Sequence, residues 1–270
     1  MFLRKLALFP PLLLLCALAV QCTQRNYRSS SAPIGNSFRT PLPEDFESRI
    51  ARYGLVDLRK FAPSLVFDLR YAAADNVTGA PIYPRNMPCL LRRQTAKKLV
   101  RAQRELQAQG YGLKIWDAWR PARSHLALWD AAPNGGYVVP PSAGFSRHCL
   151  GTAVDVTLVD ARGRELRLPT GFDNFTPAAS STYIGSSFAI RENLAALQTA
   201  MRNAGFSRIG SEWWHFSDPS GGNVVFSYQL GIQLPDNVRK VKFNVPSATE
   251  PEAKKSASSS GQTHRKKVGG

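Results

Sequence analysis

The segment SRHCLGTAVDVTL, residues 146–158, constrains the fold more than any other part of the chain. Its second half alternates a small or polar residue with an apolar one, so Val154, Val156 and Leu158 share one face of an extended chain. The β-branched residues also favour a strand over a helix. The sequence therefore predicts a strand over residues 153–160, with the apolar trio against the core.

Two polar groups in this segment are spaced in a way that excludes a shared helix. His148 and Asp155 are seven residues apart, so on one helix they would lie ~10 Å apart along the axis at ~1.5 Å per residue. That separation is too large for both groups to bind one small cation. A bend at Gly151 that leads into the strand can bring the imidazole and the carboxylate together. Asp155 would then face the cleft beside the small side chain of Ala153.

A second segment, EWWHF at residues 212–216, contains another carboxylate and imidazole. Glu212 and His215 are three residues apart, so they would share one face of a helix. On a strand they would point to opposite sides unless Glu212 lies in the preceding turn. In either conformation the two groups enter one neighbourhood, where the flanking tryptophans can exclude water. We interpret residues 212–218 as a turn followed by a strand.

Together the two segments provide three ligands for one metal ion, His148, Asp155 and His215, with Glu212 left over. Two imidazoles and a carboxylate suit Zn²⁺ with an open fourth position for water, and the remaining glutamate suits a general base for that water. Each residue alone has a simpler interpretation, as a hydrogen-bonded polar side chain or as part of an aromatic strand with a carboxylate at its edge. The combination of both segments favours the zinc site.

The other histidines are weaker candidates for metal ligands. The chain has four histidines, and His264 falls in a polar segment near the C-terminus. His125 lies in a segment that we predict to be helical. We expect His125 to cap or pack there rather than to bind metal.

Strand and helix signals alternate along residues 41–240, and the strands outnumber the helices. Apolar residues at helical spacing before a glycine, or a proline in the first turn, mark the helices. The predicted fold class is α+β, a single domain with a mainly antiparallel sheet flanked by helices. The predicted strands are residues 64–71, 113–119, 153–160 and the end of 212–218, with a return strand in 161–168, and the predicted helices are residues 91–110, 121–132 and 192–205.

The two ends of the chain differ in composition from this domain. A basic start, a short apolar run and the triplet ALA are typical of a secretory signal peptide, and Cys22 leaves a lipoprotein signal open. We therefore expect export to the periplasm or cell envelope, with membrane contact only through a lipid at Cys22. The predicted organisation is a signal peptide (1–22), a linker (23–40), a folded domain (41–240) and a disordered basic tail (241–270).

The chain is strongly basic, with a formal net charge of +16, but the positive residues are spread along it. Zinc-finger and homeodomain spacings and aromatic RNA-binding motifs are all missing from the sequence, so we predict no nucleic-acid partner. The charge is interpreted as a solvated surface that favours anionic envelope polymers. Beyond the signal segment the cysteines are Cys89 and Cys149. In an exported protein the two could form a disulfide or remain buried thiols.

The two motifs together resemble a known family. The pattern SxHxxGxAxD at residues 146–155, followed by ExxH at residues 212–215, is similar to the zinc D,D-peptidases of the VanY and VanX type, whose fold is shared with the hedgehog signalling domain. The segments DLRYAAADNVTG (68–79), WDAWRP (116–121) and EWWH resemble the branch of D-alanyl-D-alanine dipeptidases of the VanX type. The resemblance covers about residues 55–225.

The resemblance implies roles for the motif residues. The two histidines and the aspartate would bind one Zn²⁺ per chain, and Glu212 would act as the base. Arg120 matches an arginine that stabilises the developing oxyanion, for which a guanidinium fork is well suited. A structural ion pair between Arg120 and a carboxylate such as Asp117 is the alternative interpretation.

The resemblance also implies a substrate pocket. Asp173 matches an aspartate that holds the free ammonium of the substrate, which would restrict hydrolysis to dipeptides. Tyr71 and Ser146 match other pocket positions. The sequence departs from the family at two places near this pocket: AW precedes RP at residues 118–119, where the family often has GY, and Cys149 follows the metal histidine.

The implied function is zinc-dependent hydrolysis of the small dipeptide D-alanyl-D-alanine to two D-alanines in cell-wall peptide turnover. One alternative is a D,D- or L,D-carboxypeptidase that acts on peptidoglycan stem peptides, with the same metal chemistry and a longer pocket. A second is a non-catalytic zinc-containing binding protein of the cell envelope, against which the intact Glu212 and Arg120 count. The sequence makes no prediction of the oligomeric state.

Overall fold

The computed structural model describes residues 44–241, so the predicted signal peptide, the linker and all but the first residue of the predicted tail lie outside the described residues. The described part contains seven strands and six α-helices, joined by loops and short 3₁₀ helices. The strands are β1 (Leu55–Asp57), β2 (Val66–Phe67), β3 (Leu90–Arg92), β4 (Tyr111–Asp117), β5 (Ala153–Asp160), β6 (Ser207–Arg208) and β7 (His215–Ser217). The helices are α1 (Phe46–Arg52), α2 (Leu58–Phe61), α3 (Arg93–Gln107), α4 (Ala122–Ala131), α5 (Phe188–Asn203) and α6 (Asp236–Arg239).

The larger of the two sheets has five strands in the order β2-β4-β5-β7-β6. Strands β1 and β3 form a separate two-stranded sheet. Only β2 and β4 run parallel, whereas the pairs from β4 to β6 and the pair β1–β3 are antiparallel. Helices α3 and α5 pack against each other and against β4 and β5. The predicted α+β class with a mainly antiparallel sheet and flanking helices is confirmed.

Strand β5 occupies the centre of the sheet with the predicted bounds. Its apolar residues face the core, but Thr157 on the opposite face is also buried, and every residue from 153 to 159 is buried. On this second face Asp155, near the beginning of the strand, lines the cavity described below, as the sequence predicted.

The two long helices follow from capped amphipathic patterns. Helix α3 buries residues at helical spacing, including Leu99 and Leu106, and ends three residues before Gly110, whose φ of +81° few other residues adopt. Helix α5 begins four residues earlier than predicted because the Ser187 side chain accepts a hydrogen bond from the Ile190 backbone N–H. The predictions for both helices are confirmed in type, with shifts at their ends.

Two predicted strands are much shorter than expected. Of residues 64–71 only Val66–Phe67 pair with β4, and the chain then turns through a 3₁₀ helix at Arg70–Ala72. This turn directs the Tyr71 side chain into the interior. The backbone carbonyl of Tyr71 accepts hydrogen bonds from the N–H groups of residues 82 and 83. The predicted return strand is reduced to a single bridge between Val159 and Glu165.

The two cysteines within the described residues do not form a disulfide. Cys89 and Cys149 are both free and buried, so of the two alternatives that the sequence left open, the structure has the buried thiols. Cys89 precedes β3, where its carbonyl accepts a hydrogen bond from Leu58, while Cys149 lies in the 3₁₀ helix Arg147–Leu150. Burial raises the pKa of both thiols, that of Cys149 to about 12, so neither is poised to react as a thiolate.

The helices of the described residues were compared with the length and hydropathy that a membrane-spanning helix needs. Within residues 44–241, none is both long enough and apolar enough to cross a bilayer.

Candidate metal centre and active site

Three neighbouring strands place three polar residues side by side at one end of the sheet. Asp155, near the start of β5, is the cross-strand partner of Asp117 at the end of β4 and of His215 at the start of β7. A register shift in β4 between Ile115 and Asp117 allows this alignment. Because cross-strand partners on one sheet face lie close together, the strand register alone brings the predicted carboxylate and the second histidine into contact.

The remaining ligand, His148, reaches the same point from the 3₁₀ helix Arg147–Leu150. The Ser146 side chain caps this helix by accepting a hydrogen bond from the His148 N–H at 3.3 Å. Gly151 ends the helix in the left-handed region, with a φ of +70°, and strand β5 begins two residues later. The bend predicted at Gly151 is therefore present, and it returns Asp155 towards His148.

The three candidate ligand atoms form a nearly equilateral triangle. His148 Nε2 lies 3.1 Å from His215 Nδ1 and 3.3 Å from Asp155 Oδ1, and the third side, from His215 Nδ1 to Asp155 Oδ1, is 3.0 Å. Ligands at ~2.0–2.1 Å from a tetrahedral ion lie about 3.3–3.4 Å apart. The triangle is thus slightly smaller than such a site requires, and outward shifts of the side chains by a few tenths of an ångström would reconcile the two. Within residues 44–241 these three form the one group of this kind.

Hydrogen bonds at the far side of each ring direct the lone pairs into this triangle. His148 Nδ1 lies 2.7 Å from the carbonyl of Ala118, which can only accept, so this nitrogen carries the proton and Nε2 is bare. His215 Nε2 lies 2.9 Å from the Ser217 hydroxyl. This hydroxyl can accept a hydrogen bond from Nε2–H, and Nδ1 is then the nitrogen without a proton. Two imidazole lone pairs and a carboxylate oxygen then converge on one point, an arrangement that a cation stabilises.

The charges around the triangle favour a positive ion. Burial acts to raise the pKa of Asp155, but His148 and His215 outweigh it and hold that pKa well below its usual range. Burial acts to lower the pKa of His148, but Asp155 and Asp117 raise it above its ordinary value. Asp155 thus keeps its negative charge and draws positive charge to the site, as a proton or as a metal ion.

Glu212 lies in the turn that precedes β7. This position allows its side chain to lie on the same side of the sheet as His215. Its Oε2 is 3.9 Å from His215 Nδ1, and the residue is 5% exposed. Burial, with a contribution from Asp155, raises the pKa of Glu212 to about 8. Both tryptophans of the turn are buried, and Trp213 is fixed by a hydrogen bond from its ring N–H to Thr170. The carboxylate therefore sits in a dry position beside the metal ligands.

Arg120 forms the ion pair with Asp117 that was the alternative interpretation, and it also borders the cavity. Its Nε and Nη2 donate to Asp117 Oδ2 at 3.0 and 2.7 Å, so the structural ion pair is present. The guanidinium carbon also lies 5.0 Å from the centre of the Tyr71 ring, and Nη2 is 3.7 Å from Asp155 Oδ2. Asp117 and Tyr71 thus fix the guanidinium at the edge of the cavity beside Asp155.

Asp173 forms the other polar end of the cavity. Its φ of +56° is in the left-handed region, a strained conformation for a residue other than glycine. Its carboxylate accepts hydrogen bonds from the Tyr71 hydroxyl at 3.0 Å and from the Val77 N–H at 3.2 Å. Burial raises the pKa of Asp173 to about 7. A carboxylate held with few partners at the end of a cavity is suited to binding a cationic group.

All the predicted site residues line one cavity of about 320 Å³, which Tyr71, Ser146 and Trp214 also border. At ~30 Å³ per water molecule, this volume holds about ten non-hydrogen atoms, which matches a dipeptide. A larger surface depression of about 690 Å³ lies between Phe46, Arg59 and Ile232. It contains none of the metal-ligand candidates, so we assign the chemistry to the smaller cavity.

The site and its surroundings also include residues that the sequence did not assign to it. Asp117 appeared only as a partner for Arg120, yet it also accepts from the Tyr83 hydroxyl at 2.6 Å and lies 3.3 Å from His148 Nδ1. His125 was expected to pack in its helix, and it does so while also lining the cavity. No motif marks the apolar wall formed by residues 137–139, because that wall depends on how a loop folds back.

Comparison with known proteins agrees with this site. The family model described as D-ala-D-ala dipeptidase matches residues 51–232. The chain belongs to the D-Ala-D-Ala dipeptidase family. The resemblance inferred from the motifs is thereby confirmed, and the chain is an enzyme of the peptidase class, with dipeptide hydrolysis as the family activity.

Curated relatives of this dipeptidase family come from several bacteria. The D-alanyl-D-alanine dipeptidase of Escherichia coli K12 is 38% identical over 169 residues, which cover 63% of this chain and 86% of the relative. The protein of the same name from Enterococcus faecium is 29% identical over 187 residues, covering 60% of this chain and 90% of the relative. That from Streptomyces coelicolor is 29% identical over 171 residues, with coverages of 56% and 84%.

Proposed function

We propose that this dipeptidase hydrolyses D-alanyl-D-alanine to two D-alanines, with one Zn²⁺ held by His148, Asp155 and His215. The observation that carries the proposal is the cavity itself, which has a metal-ligand triangle at one position and the half-buried carboxylate of Asp173 at another. The printed names of the relatives support the same substrate.

The donor set favours zinc among the common metals. Two neutral imidazoles and one carboxylate are ligands that suit Zn²⁺ in catalytic sites with an open position. A Zn²⁺ bound there would supply Lewis acidity, lowering the pKa of water and polarising a carbonyl. The hydrogen bonds from His148 to Ala118 and between His215 and Ser217 would fix both rings for this role.

In this proposal two side chains of the protein move the protons and stabilise the negative charge that develops on the carbonyl oxygen. Glu212, beside the metal position, can take a proton from the attacking water and pass it to the leaving amine. Arg120, held by Asp117, faces the negative charge that develops on the carbonyl oxygen. The buried surroundings exclude bulk water and strengthen both interactions.

Substrate length is set in this proposal by Asp173. Its carboxylate, held by the Tyr71 hydroxyl, would pair with the free ammonium of a dipeptide. A longer peptide has an amide in place of that ammonium, so it would lose the charge pair and would have to displace the wall of a small cavity. This favours a dipeptidase over a carboxypeptidase that acts on stem peptides. A non-catalytic binding protein is disfavoured because Glu212 and Arg120 are both present at the site.

The test compares three substrates on the zinc-loaded protein: D-alanyl-D-alanine, its N-acetylated form and a pentapeptide stem that ends in D-alanyl-D-alanine. We expect the free dipeptide to have the highest kcat/KM, by about 10- to 100-fold, since a charge-assisted hydrogen bond contributes ~1.5–3 kcal/mol. The acetylated dipeptide is the matched control, because it keeps the scissile bond and has a neutral acetamide in place of the ammonium. Cleavage of the pentapeptide with the free dipeptide left intact would overturn the proposal in favour of the carboxypeptidase.

The place of action is a further part of the proposal. The composition of residues 1–22 supports export, so we propose that the enzyme acts in the periplasm or cell envelope on dipeptides from cell-wall peptide turnover. A lipid at Cys22 would anchor it to the membrane. Cell fractionation of the full chain, with a Cys22→Ser variant as control, tests this point: activity in the cytoplasmic fraction alone would contradict it.

A further inference from the structure

The side chain of Arg92 makes contacts that have no part in the site as described so far. Arg92 is the last residue of β3, directly before α3, and it is half-buried. Each nitrogen of its guanidinium donates to a different backbone carbonyl: Nε to that of Leu150 at 2.9 Å, Nη1 to that of Tyr53 and Nη2 to that of Asn223. Within residues 44–241 its partners are main-chain carbonyls alone, and no carboxylate forms an ion pair with it.

Two bonds from Arg92 fall on the turn that carries the metal ligand His148. Leu150 is the last residue of the 3₁₀ helix that contains His148, and Gly151 follows it. The Arg92 Nε donates to the Leu150 carbonyl, and the Arg92 backbone N–H donates to the Gly151 carbonyl at 2.9 Å. Carbonyls at the end of a helix lack partners within it, and a cation there is favourable. One residue thus supplies donors to two successive carbonyls and fixes the orientation of the turn.

A further bond links this turn to the segment that carries the other histidine ligand. Asn223 lies in the loop that follows β7, the strand that begins at His215. The packing around the guanidinium is close, since a Cβ on Gly222 would lie 3.2 Å from Arg92 Nε and 3.4 Å from the Leu150 carbonyl oxygen. A side chain at position 222 would therefore press on the bond between the arginine and the turn. The two ligand segments meet at one cation.

The chemistry of these contacts requires an arginine. Burial lowers the pKa of Arg92, because the cation is partly removed from water and has no carboxylate beside it. A guanidinium presents its donors in fixed directions within one plane, whereas a lysine has a single nitrogen. A lysine at this position could not donate to three separate segments at once.

We propose that Arg92 is a positioning residue for the metal centre. Its guanidinium holds the turn after His148 and the loop after β7 together, so that His148 Nε2 stays beside Asp155 and His215. The inference rests on the proposed function, because it assumes that these three residues bind the metal ion. It predicts a loss of zinc affinity when Arg92 is changed, with little change in turnover once the site is filled.

Zinc affinity, measured by competition with a chelating dye, is the readout. Changes to residues that orient metal ligands typically reduce metal affinity by about 10- to 100-fold. We expect the zinc dissociation constant to rise roughly tenfold in Arg92→Lys, which keeps the charge but loses the fork, and by up to about 100-fold in Arg92→Met. The kcat at saturating zinc should stay near the wild-type value in both.

Arg101→Lys is the matched control for these variants. Arg101 lies in α3 and donates to the carbonyl of Ala204 at 2.8 Å, outside the two segments that carry the histidine ligands. Its replacement makes the same chemical change as Arg92→Lys at a different carbonyl. The zinc dissociation constant of this variant should equal that of the wild type.

A second pair of variants tests the same contact without removing the arginine. Gly222→Ala places a methyl group against the bond between Arg92 and Leu150, whereas a Cβ on Gly221 would meet no atom within 4 Å. We expect zinc affinity to fall several-fold in Gly222→Ala and to be unchanged in Gly221→Ala. Both alanine variants keep every charge, so this pair decides the question if the Arg92 variants fail to fold.

A purely structural role of Arg92 gives a different result. Circular dichroism of the metal-free variants shows which are folded at the temperature of the titration, so that affinities are compared among folded proteins. A lower Tm with wild-type zinc affinity in Arg92→Lys and Gly222→Ala would overturn the inference. An equal loss of affinity in Arg101→Lys would overturn it as well.

Failure of the proposed function would be visible separately. If the wild-type protein binds one zinc per chain but leaves D-alanyl-D-alanine intact, the proposed substrate is wrong, while the zinc titrations still support or overturn the role of Arg92. If the wild-type protein binds no zinc, the proposed metal site is wrong and the inference about Arg92 is overturned with it.

Discussion

Two carboxylates at this site have different environments and therefore different roles. Asp155 lies between two imidazoles, which hold its pKa low despite burial. Glu212 is buried farther from the imidazoles, and its pKa is raised to about 8. A group that stays ionised beside the histidines suits a metal ligand, whereas a group that binds a proton readily suits a general base. Environments that push the pKa values of neighbouring carboxylates apart are typical of acid and base pairs in enzymes.

Replacement of Glu212 by glutamine tests this division of roles. Glu212→Gln keeps the size of the side chain and removes the base, so kcat should fall by about 10²- to 10⁴-fold. Metal content, measured by atomic absorption, should stay at the wild-type value because Glu212 is outside the ligand triangle. Asp155→Asn is the matched variant, in which metal content should fall together with activity. Near-normal turnover in Glu212→Gln would show that another group is the base.

The raised pKa of the Asp173 carboxylate predicts a dependence of activity on pH. Its pKa is raised to about 7, so it is ionised and able to hold an ammonium above that pH and takes up a proton below it. The ratio of kcat/KM between wild type and Asp173→Asn should therefore be largest, about 10- to 100-fold, above pH 7 and should shrink as the pH falls. Titrating groups that the two proteins share affect both kcat/KM values equally, so their effect cancels in this ratio.

Tyr71→Phe provides the control for the Asp173 prediction. The hydrogen bond from the Tyr71 hydroxyl lowers the pKa of Asp173, so its removal should move the midpoint of the wild-type profile to a higher pH. A ratio between wild type and Asp173→Asn that does not change with pH would contradict a titrating carboxylate at the substrate's ammonium.

The residues that carry sequence motifs were predictable, and those that depend on packing were not. The spacing of His148, Asp155, Glu212 and His215 led to one neighbourhood without any coordinates. His125 has no such signal, because its place in the cavity depends on the packing of α4, which is fixed in part by a hydrogen bond from the Ser124 hydroxyl to the carbonyl of residue 82. The separation of the two cysteines could not be read from the sequence either.

At the scale of elements, the site depends on one left-handed turn between a 3₁₀ helix and a strand. Gly151 has a φ of +70°, and a Cβ there would lie 3.0 Å from Leu55 Cδ2. Gly151→Ala should therefore lower the free energy of unfolding by at least about 1–2 kcal/mol, from the backbone strain alone. Because the turn sets the position of His148 relative to β5, zinc affinity should fall as well.

Gly163→Ala is the matched control for this turn. Gly163 has a φ of +76°, but the nearest atom to its Cβ would be Val66 Cγ2 at a comfortable 3.6 Å. Chemical denaturation should show a smaller loss of stability than for Gly151→Ala, and zinc titration should show unchanged affinity. If the two alanine variants bound zinc equally well, the turn at Gly151 would not position the ligand.

Elements whose pattern is periodic were predicted well from the sequence, and those defined by tertiary pairing were not. Strand β5 has the predicted bounds, and α3 and α5 have the predicted type. Residues 64–71 contain a strand-like pattern, but most of them leave the sheet because the segment must turn to place Tyr71 in the cavity. The short strands β1 and β3 gave no signal, since three residues are too few to establish a period.

At the scale of the whole domain, the cavity combines segments that are far apart in the chain. The metal triangle joins β5, β7 and a 3₁₀ helix, while Asp173 and the loop at residues 137–139 close the other sides. Its volume of about 320 Å³ matches a dipeptide, and Asp173, which we propose to set the length of the substrate, is part of its lining. The sequence predicted which residues react, and the folded chain is needed to see how small the space between them is.

The central claim is that His148, Asp155 and His215 hold a catalytic zinc ion in an enzyme that cleaves D-alanyl-D-alanine. The most direct measurement is the D-alanine released from this dipeptide by the full protein after its metal is removed with a chelator and after zinc is returned. We predict no release without metal and full recovery at one zinc per chain. Release that is unaffected by metal removal, or no release from protein that holds one zinc per chain, would contradict the account.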